Sequence, residues 1–245
     1  MTTSLLTQPL DVIVEPERGE ITFSHLGLQQ WWDTIRERLR QEGVEILLGT
    51  DATIPYMDQL DNRVSGYFGD RPKKILACAT GKPDQGLWLS VLLHEACHFE
   101  QYAEQSPAWT NIFMTHPQTQ AQVEATDIFF EWVAGTDHDP DLVEQAFQAV
   151  LAVETDCERR TTALMERFDF PFNRELYAKQ ANAYIHAYRW AYRHRQWYPS
   201  DRLPYQVASI IDACPPHIVD HWTTAMETAM EEAYADVVTP KSPRP

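Results

Sequence analysis

The run GLWLSVLLHEACHFEQYAEQ (86–105) sets the narrowest limits on this chain. Its apolar residues recur on a helical period, and the pattern predicts one helix with His94, Glu95 and His98 at its middle. Residues four apart on a helix share a face, so His94 and His98 can both aim an imidazole at a single ion at ~2.0–2.1 Å. Glu95 falls about 100° further round the helix, beside such an ion, where its carboxylate can reach a water on the metal. This HExxH spacing carries its own mechanism and is more specific than two histidines alone. A chain with 9 histidines and 36 acidic residues can also produce it by accident. The apolar flank WLSVLL and the uncharged pair between Glu95 and His98 argue against accident. Glu100, two places after His98, departs from the usual apolar flank.

The surrounding pattern predicts an α+β fold. LGLQQWWDTIRERLRQEG (26–43) reads as an amphipathic helix with Leu28, Trp31, Ile35 and Leu39 on one face and a stop at Gly43. Three β-like runs follow at 44–48, 64–68 and 74–80, separated by turn residues, and are expected to form a small antiparallel sheet ahead of the HEACH helix. A proline-bounded loop (106–118) should lead to helices near 119–134, 141–168, 173–198 and 215–237. The expected organisation is a single domain: an N-terminal extension (1–25), a catalytic core (26–168), a helical C-terminal part (169–237) and a loose tail (238–245).

Two histidines hold zinc poorly, so a third protein ligand is needed, with a fourth position left for water. The helix at 141–168 carries an apolar stripe through Val143, Phe147, Val150, Cys157, Thr161, Leu164 and Phe168. Glu154 stands inside that stripe, about 40° from Val150, while Asp156 points to the far side. A lone buried carboxylate is costly unless it is paired or metal-bound. Glu154 is therefore the candidate third ligand, and an ion pair with an arginine such as Arg160 is the competing explanation. Glu158, one turn on, can back a ligating histidine from behind. Glu124 is the reserve.

With HEACH and a downstream glutamate on the page, the chain resembles a zincin, and more narrowly a gluzincin-type metallopeptidase, over roughly residues 26–168. In that family the third ligand commonly sits in ExxxD; here ETDCE offers Glu154 and then Glu158, so the second acid is Glu. The resemblance implies a zincin-like fold, one zinc ion, a peptide or protein substrate, and hydrolysis with Glu95 as general base. It also implies an edge strand, expected near KILACAT (74–80), along which a substrate could pair. The developing oxyanion would need a second donor. Tyr184 is the candidate, with His186 behind it, although Tyr177, Tyr184, Tyr188 and Tyr192 also fall at the spacing of ordinary aromatic core packing.

Composition removes other classes. A net charge of −16 and a pI near 4.9 argue against nucleic-acid binding and against docking on an anionic membrane. The most apolar stretch, LWLSVLL, is too short to span a bilayer, and the first twenty residues lack a signal-peptide pattern. Four cysteines without a CxxC exclude thiolate zinc fingers and a disulfide framework. A cytoplasmic protein is expected. Cys97 and Cys157 read as small packing residues, HIVDH (217–221) as an ordinary surface helix, and DHDPD (137–141) as the acidic start of a helix. Two rival functions remain: a catalytically silent zincin-like module, and a metal-free scaffold acting through its aromatic helices.

Overall fold

The computed structural model describes residues 4–56, 59–82 and 84–237. Its elements run β1 (Val12–Glu15), β2 (Glu20–Phe23), α1 (Leu26–Gln41), β3 (Glu45–Gly49), β4 (Ile54–Tyr56), β5 (Gln59–Val64), β6 (Gly66–Gly69) and β7 (Ile75–Ala79). There follow α2 (Gln85–Ala103), α3 (Pro107–Thr110), β8 (Phe113–Thr115), β9 (Gln122–Glu124), α4 (Ala125–Val133), α5 (Pro140–Arg167), α6 (Arg174–His194), α7 (Ala208–Ala213) and α8 (Thr224–Ala233). The fold is mixed, mostly helical with small sheets, and of the α+β kind. The chain packs as two compact units, Met1–Trp109 with Cys157–Arg174, and Thr110–Asp156 with Glu175–Pro245. The expected loose tail, 238–245, lies outside the described residues.

In the first unit, α1 buries Leu28, Trp31, Trp32, Ile35 and Leu39. His25 caps its start by accepting from the Leu28 N–H at 3.3 Å. Gly43 closes it at φ +68°, a conformation that costs glycine little.

The sheet corrects two expectations. Its order is β3-β7-β6, with β3 and β7 parallel and β6 antiparallel to β7. The sheet is therefore mixed, not antiparallel, and KILACAT supplies its central strand. The edge beside the histidine helix is β6. The reason lies in β7 itself: Ile75–Ala79 is apolar at every position and buried at every position, as a strand covered on both faces must be. On one face Ile75, Ala77 and Ala79 pack with Ile54 and Tyr67. The other face meets α2, where the Cys78 Sγ lies 3.5 Å from the Trp88 carbonyl oxygen.

Helix α2 sits against β6 and β7, with Trp88, Leu89, Leu92, Leu93, Ala96, Cys97 and Phe99 buried. Asp84 caps it by accepting from the Gly86 N–H at 2.8 Å. Glu100, the residue that breaks the apolar flank, meets the Arg38 guanidinium at 3.0 Å. Burial raises the Glu100 carboxyl above its usual range, and Arg38 offsets part of that rise. The C-terminal part of α5 completes this unit, with the Thr161 hydroxyl donating to the Cys97 Sγ at 3.3 Å and Arg160 paired with Glu104 at 2.7 Å.

The second unit contains β8, β9, α4, α7, α8 and most of α5 and α6. Asp139 caps α5 by accepting from the Asp141 N–H at 3.0 Å, which makes DHDPD a helix start. Two expectations fail here. The loop expected at 106–118 contains α3 and the first strand of the β8–β9 hairpin, so the next helix begins only at Ala125. The last helix begins at Thr224, not 215: Pro215 and Pro216 resist a helix, and the Asn182 side chain claims the segment instead. Asn182 donates to the Pro215 and His217 carbonyls at 3.0 and 2.8 Å and accepts from the Val219 N–H at 3.1 Å. His217 and His221 are thus exposed in a loop and share no helix face.

Strand β6 can approach α2 only because residue 66 is glycine. A Cβ there would stand 2.5 Å from the Val91 Cγ1, 2.9 Å from the Ala77 carbonyl oxygen and 3.2 Å from the Glu95 Cγ. Gly66→Ala should therefore destabilise the protein by ~1–3 kcal/mol through overpacking. Urea unfolding should show a lower midpoint at unchanged slope; an unchanged midpoint would mean that the contact yields freely.

Candidate metal centre

His94 and His98 project from the same face of α2, and their Nε2 atoms stand 3.0 Å apart with the rings nearly perpendicular, at 87°. Each ring is held from behind. The Glu158 carboxylate on α5 lies 3.0 Å from the His94 Nδ1, and the Gln101 side-chain oxygen lies 2.8 Å from the His98 Nδ1. A carboxylate only accepts, as does an amide oxygen, so each Nδ1 carries the proton and donates it. The two Nε2 atoms then stand at hydrogen-bonding distance, so a proton, or a metal ion in its place, can be shared between them. Two nitrogens bound at ~2.05 Å to one tetrahedral ion would stand about 3.3 Å apart. The pair is set for a shared cation.

Glu95 lies on the β6 side of the helix and is 9% exposed. Its carboxylate accepts from the Phe68 N–H at 2.9 Å. In the register of β6 with β7, the 67/77 pair exchanges the ladder bonds, so the Phe68 N–H points out from the free edge of the sheet. Beneath it, burial and then the negative charge of Glu95 push the Cys78 thiol well above its usual range, which keeps that sulfur protonated.

His94, His98 and Cys157 offer ligand atoms that all lie within 4.8 Å of one another, and this largely buried group can bind a metal ion. The sulfur, however, sits on the Nδ1 side of His94, at 3.5 Å, and its S–H points to the His94 carbonyl oxygen at 3.2 Å. Cys157 therefore braces the first turn of the motif from behind, away from the space between the two Nε2 atoms. The sequence treated it as packing alone. Gln101 was overlooked, although its place three residues after His98, on the same helix face, was a usable signal.

The remaining candidates belong to the second unit. Glu154 is 9% exposed, one helical turn before Glu158 on α5. Tyr184 shares a hydrogen bond with Tyr188 between their hydroxyls, at 2.9 Å. Burial and then the charge of Glu154 hold the Tyr184 phenol well above its usual range, so Tyr184 and Glu154 lie within electrostatic reach of each other. Tyr198 feels the same carboxylate. Glu124 ends β9 and opens α4. His186 has both nitrogens engaged, Nε2 with the Val219 carbonyl at 3.3 Å and Nδ1 with the Arg189 Nε–H at 3.2 Å.

No family model, curated protein or solved structure matches the chain. Among the described residues, no helix is long and apolar enough to cross a membrane.

His186 supplies a test of the second unit. Burial first, and then the nearby Arg189 charge, bring its pKa down to about 4. Between that value and the ordinary ~6.5 the unfolded chain takes a proton that the native histidine refuses. Its contribution is complete above about pH 6.5 and falls by about 1.4 kcal/mol per pH unit as pH drops through this window. Urea titrations from pH 7 to pH 4.5 should show a smaller loss of stability in His186→Gln than in the wild type; parallel losses would contradict the burial argument.

Proposed function

We propose that the protein is a zinc-dependent hydrolase with a zincin-like catalytic unit, acting as a metallopeptidase. The observation that carries the reading is the Nε2 pair: two imidazoles, each fixed by an acceptor at Nδ1, with their other nitrogens meeting at 3.0 Å. A positive charge between the rings, a shared proton or a metal ion, stabilises that arrangement. His94 and His98 would hold the ion, backed by Glu158 and Gln101. The third ligand is assigned to Glu154, whose helix also carries Cys157 and Glu158.

When bound, zinc lowers the pKa of its water toward ~7 and polarises a carbonyl. Glu95 is the general base: its carboxylate takes the proton of the attacking water and returns it to the leaving amine. Strand β6 supports a peptide substrate. It is the edge of its sheet, and an extended backbone pairing there would compete with Glu95 for the Phe68 N–H. Tyr184 is the proposed second donor to the oxyanion.

One observation favours the alternative of a catalytically silent module: Glu95 is buried and already bonded to the backbone of β6, as a structural residue would be. Glu95→Gln separates the two, because the amide oxygen can still accept from the Phe68 N–H. The variant should remain folded and keep zinc. Hydrolysis of an unstructured protein such as casein should fall by ~10²–10⁴-fold, the range typical of a lost general base. Undiminished hydrolysis would remove Glu95 from the chemistry, and a wild type that is inactive with zinc bound would favour the silent module.

Metal analysis of the purified protein should find one zinc per chain. Glu154→Gln should lose it and Cys157→Ser should retain it; the reverse result would place the thiolate in the ligand set and exclude Glu154.

A further inference from the structure

Gln101 is wholly buried, with 0% of its surface exposed, in the last turns of a helix whose other buried positions are almost all apolar. A primary amide withdrawn from water costs ~1–3 kcal/mol unless its groups are hydrogen-bonded. A leucine or methionine would fill the same volume without that cost. The amide oxygen meets the His98 Nδ1 at 2.8 Å. The two residues are three apart, so the helix places them as neighbours on one face.

We infer that Gln101 is a positioning residue for the metal centre, holding His98 as the Nδ1–H tautomer with its Nε2 lone pair aimed at the ion; the motif then extends to HEACHFEQ, residues 94–101. The inference rests on the zinc reading above. The two histidines are supported in different ways. His94 is backed by an anion delivered from α5, 64 residues away in sequence. His98 is backed by a neutral group from its own helix. That neutrality matters beside Glu95, Glu158 and the proposed ligand Glu154: Gln101 orients the ring without adding a fourth carboxylate around one ion. The ring is also confined on its flank by Trp109, with centroids 6.3 Å apart. Rotation of His98 away from the site therefore means breaking the Gln101 bond inside a packed environment.

The test uses the full-length chain and zinc itself, with affinity read by competition against a chromophoric chelator. Gln101→Met removes the acceptor at nearly constant volume and should weaken zinc binding by ~10–100-fold, the range for a lost outer partner of a ligating histidine. Gln101→Glu restores an acceptor and should bind within a few-fold of wild type. A role confined to packing predicts the opposite order, since methionine fits an apolar slot better than a carboxylate does. The tautomer can be read without any variant. Nitrogen-15 chemical shifts of the metal-free wild type should show His98 protonated at Nδ1, and finding it protonated at Nε2 overturns the inference even if a variant fails to fold. Equal zinc affinity in wild type and a folded Gln101→Met also overturns it while leaving the zinc reading intact. A wild type that binds no zinc removes both.

Discussion

Two ring nitrogens meet at 3.0 Å, His94 Nε2 and His98 Nε2, and each ring is held there by an acceptor at its Nδ1. His94 and His98 cannot turn away without abandoning their bonds to Glu158 and Gln101. Four hydrogen-bonding groups are thus committed to bringing two ring nitrogens to one point. A core built for stability alone would use apolar residues in those places. Apolar packing surrounds the motif: α2 buries Leu92, Leu93, Ala96, Cys97 and Phe99, and β6 approaches the helix at Gly66.

Glu95 shows how narrow the margin between architecture and chemistry is. Its carboxylate accepts from the Phe68 N–H, and the residue stands next to His94 and one turn before His98 on the same helix. The edge strand is the natural place for such a bond, because an edge N–H has no partner strand to satisfy it. Had KILACAT formed the edge, as its position next to the helix suggested, this donor would not have existed at that point. Five consecutive apolar residues made it a central strand, and β6, interrupted by glycine at both ends, took the rim.

Helix α5 contributes to both units. Its stripe of Val143, Phe147 and Val150 packs in the second unit, and Cys157 and Thr161 pack in the first. Between them, Glu154 and Glu158 occupy successive turns. The first lies among tyrosines whose phenols it helps to keep protonated, the second at the back of His94. The helix fixes their spacing, since its own hydrogen bonds set 1.5 Å per residue whatever surrounds it.

What the sequence by itself determined was local. The HEACH spacing, the stop at Gly43, the start of α5 at Asp139 and the buried place of Glu154 in its stripe are all properties of a few adjacent turns, and helical periodicity expresses them directly. Tertiary structure decided everything that depends on which distant segments meet. It chose β6 over β7 as the edge, brought Glu158 to His94 across 64 residues, and turned the Cys157 thiol onto the His94 carbonyl. It also kept 215–223 out of helix by lending that loop the Asn182 amide. Strand order and side-chain partnership are settled by packing between segments that share no local pattern, so no period in the sequence records them. Gln101 lies between the two cases: its helix face was readable, but its value came only from a burial that the fold imposes.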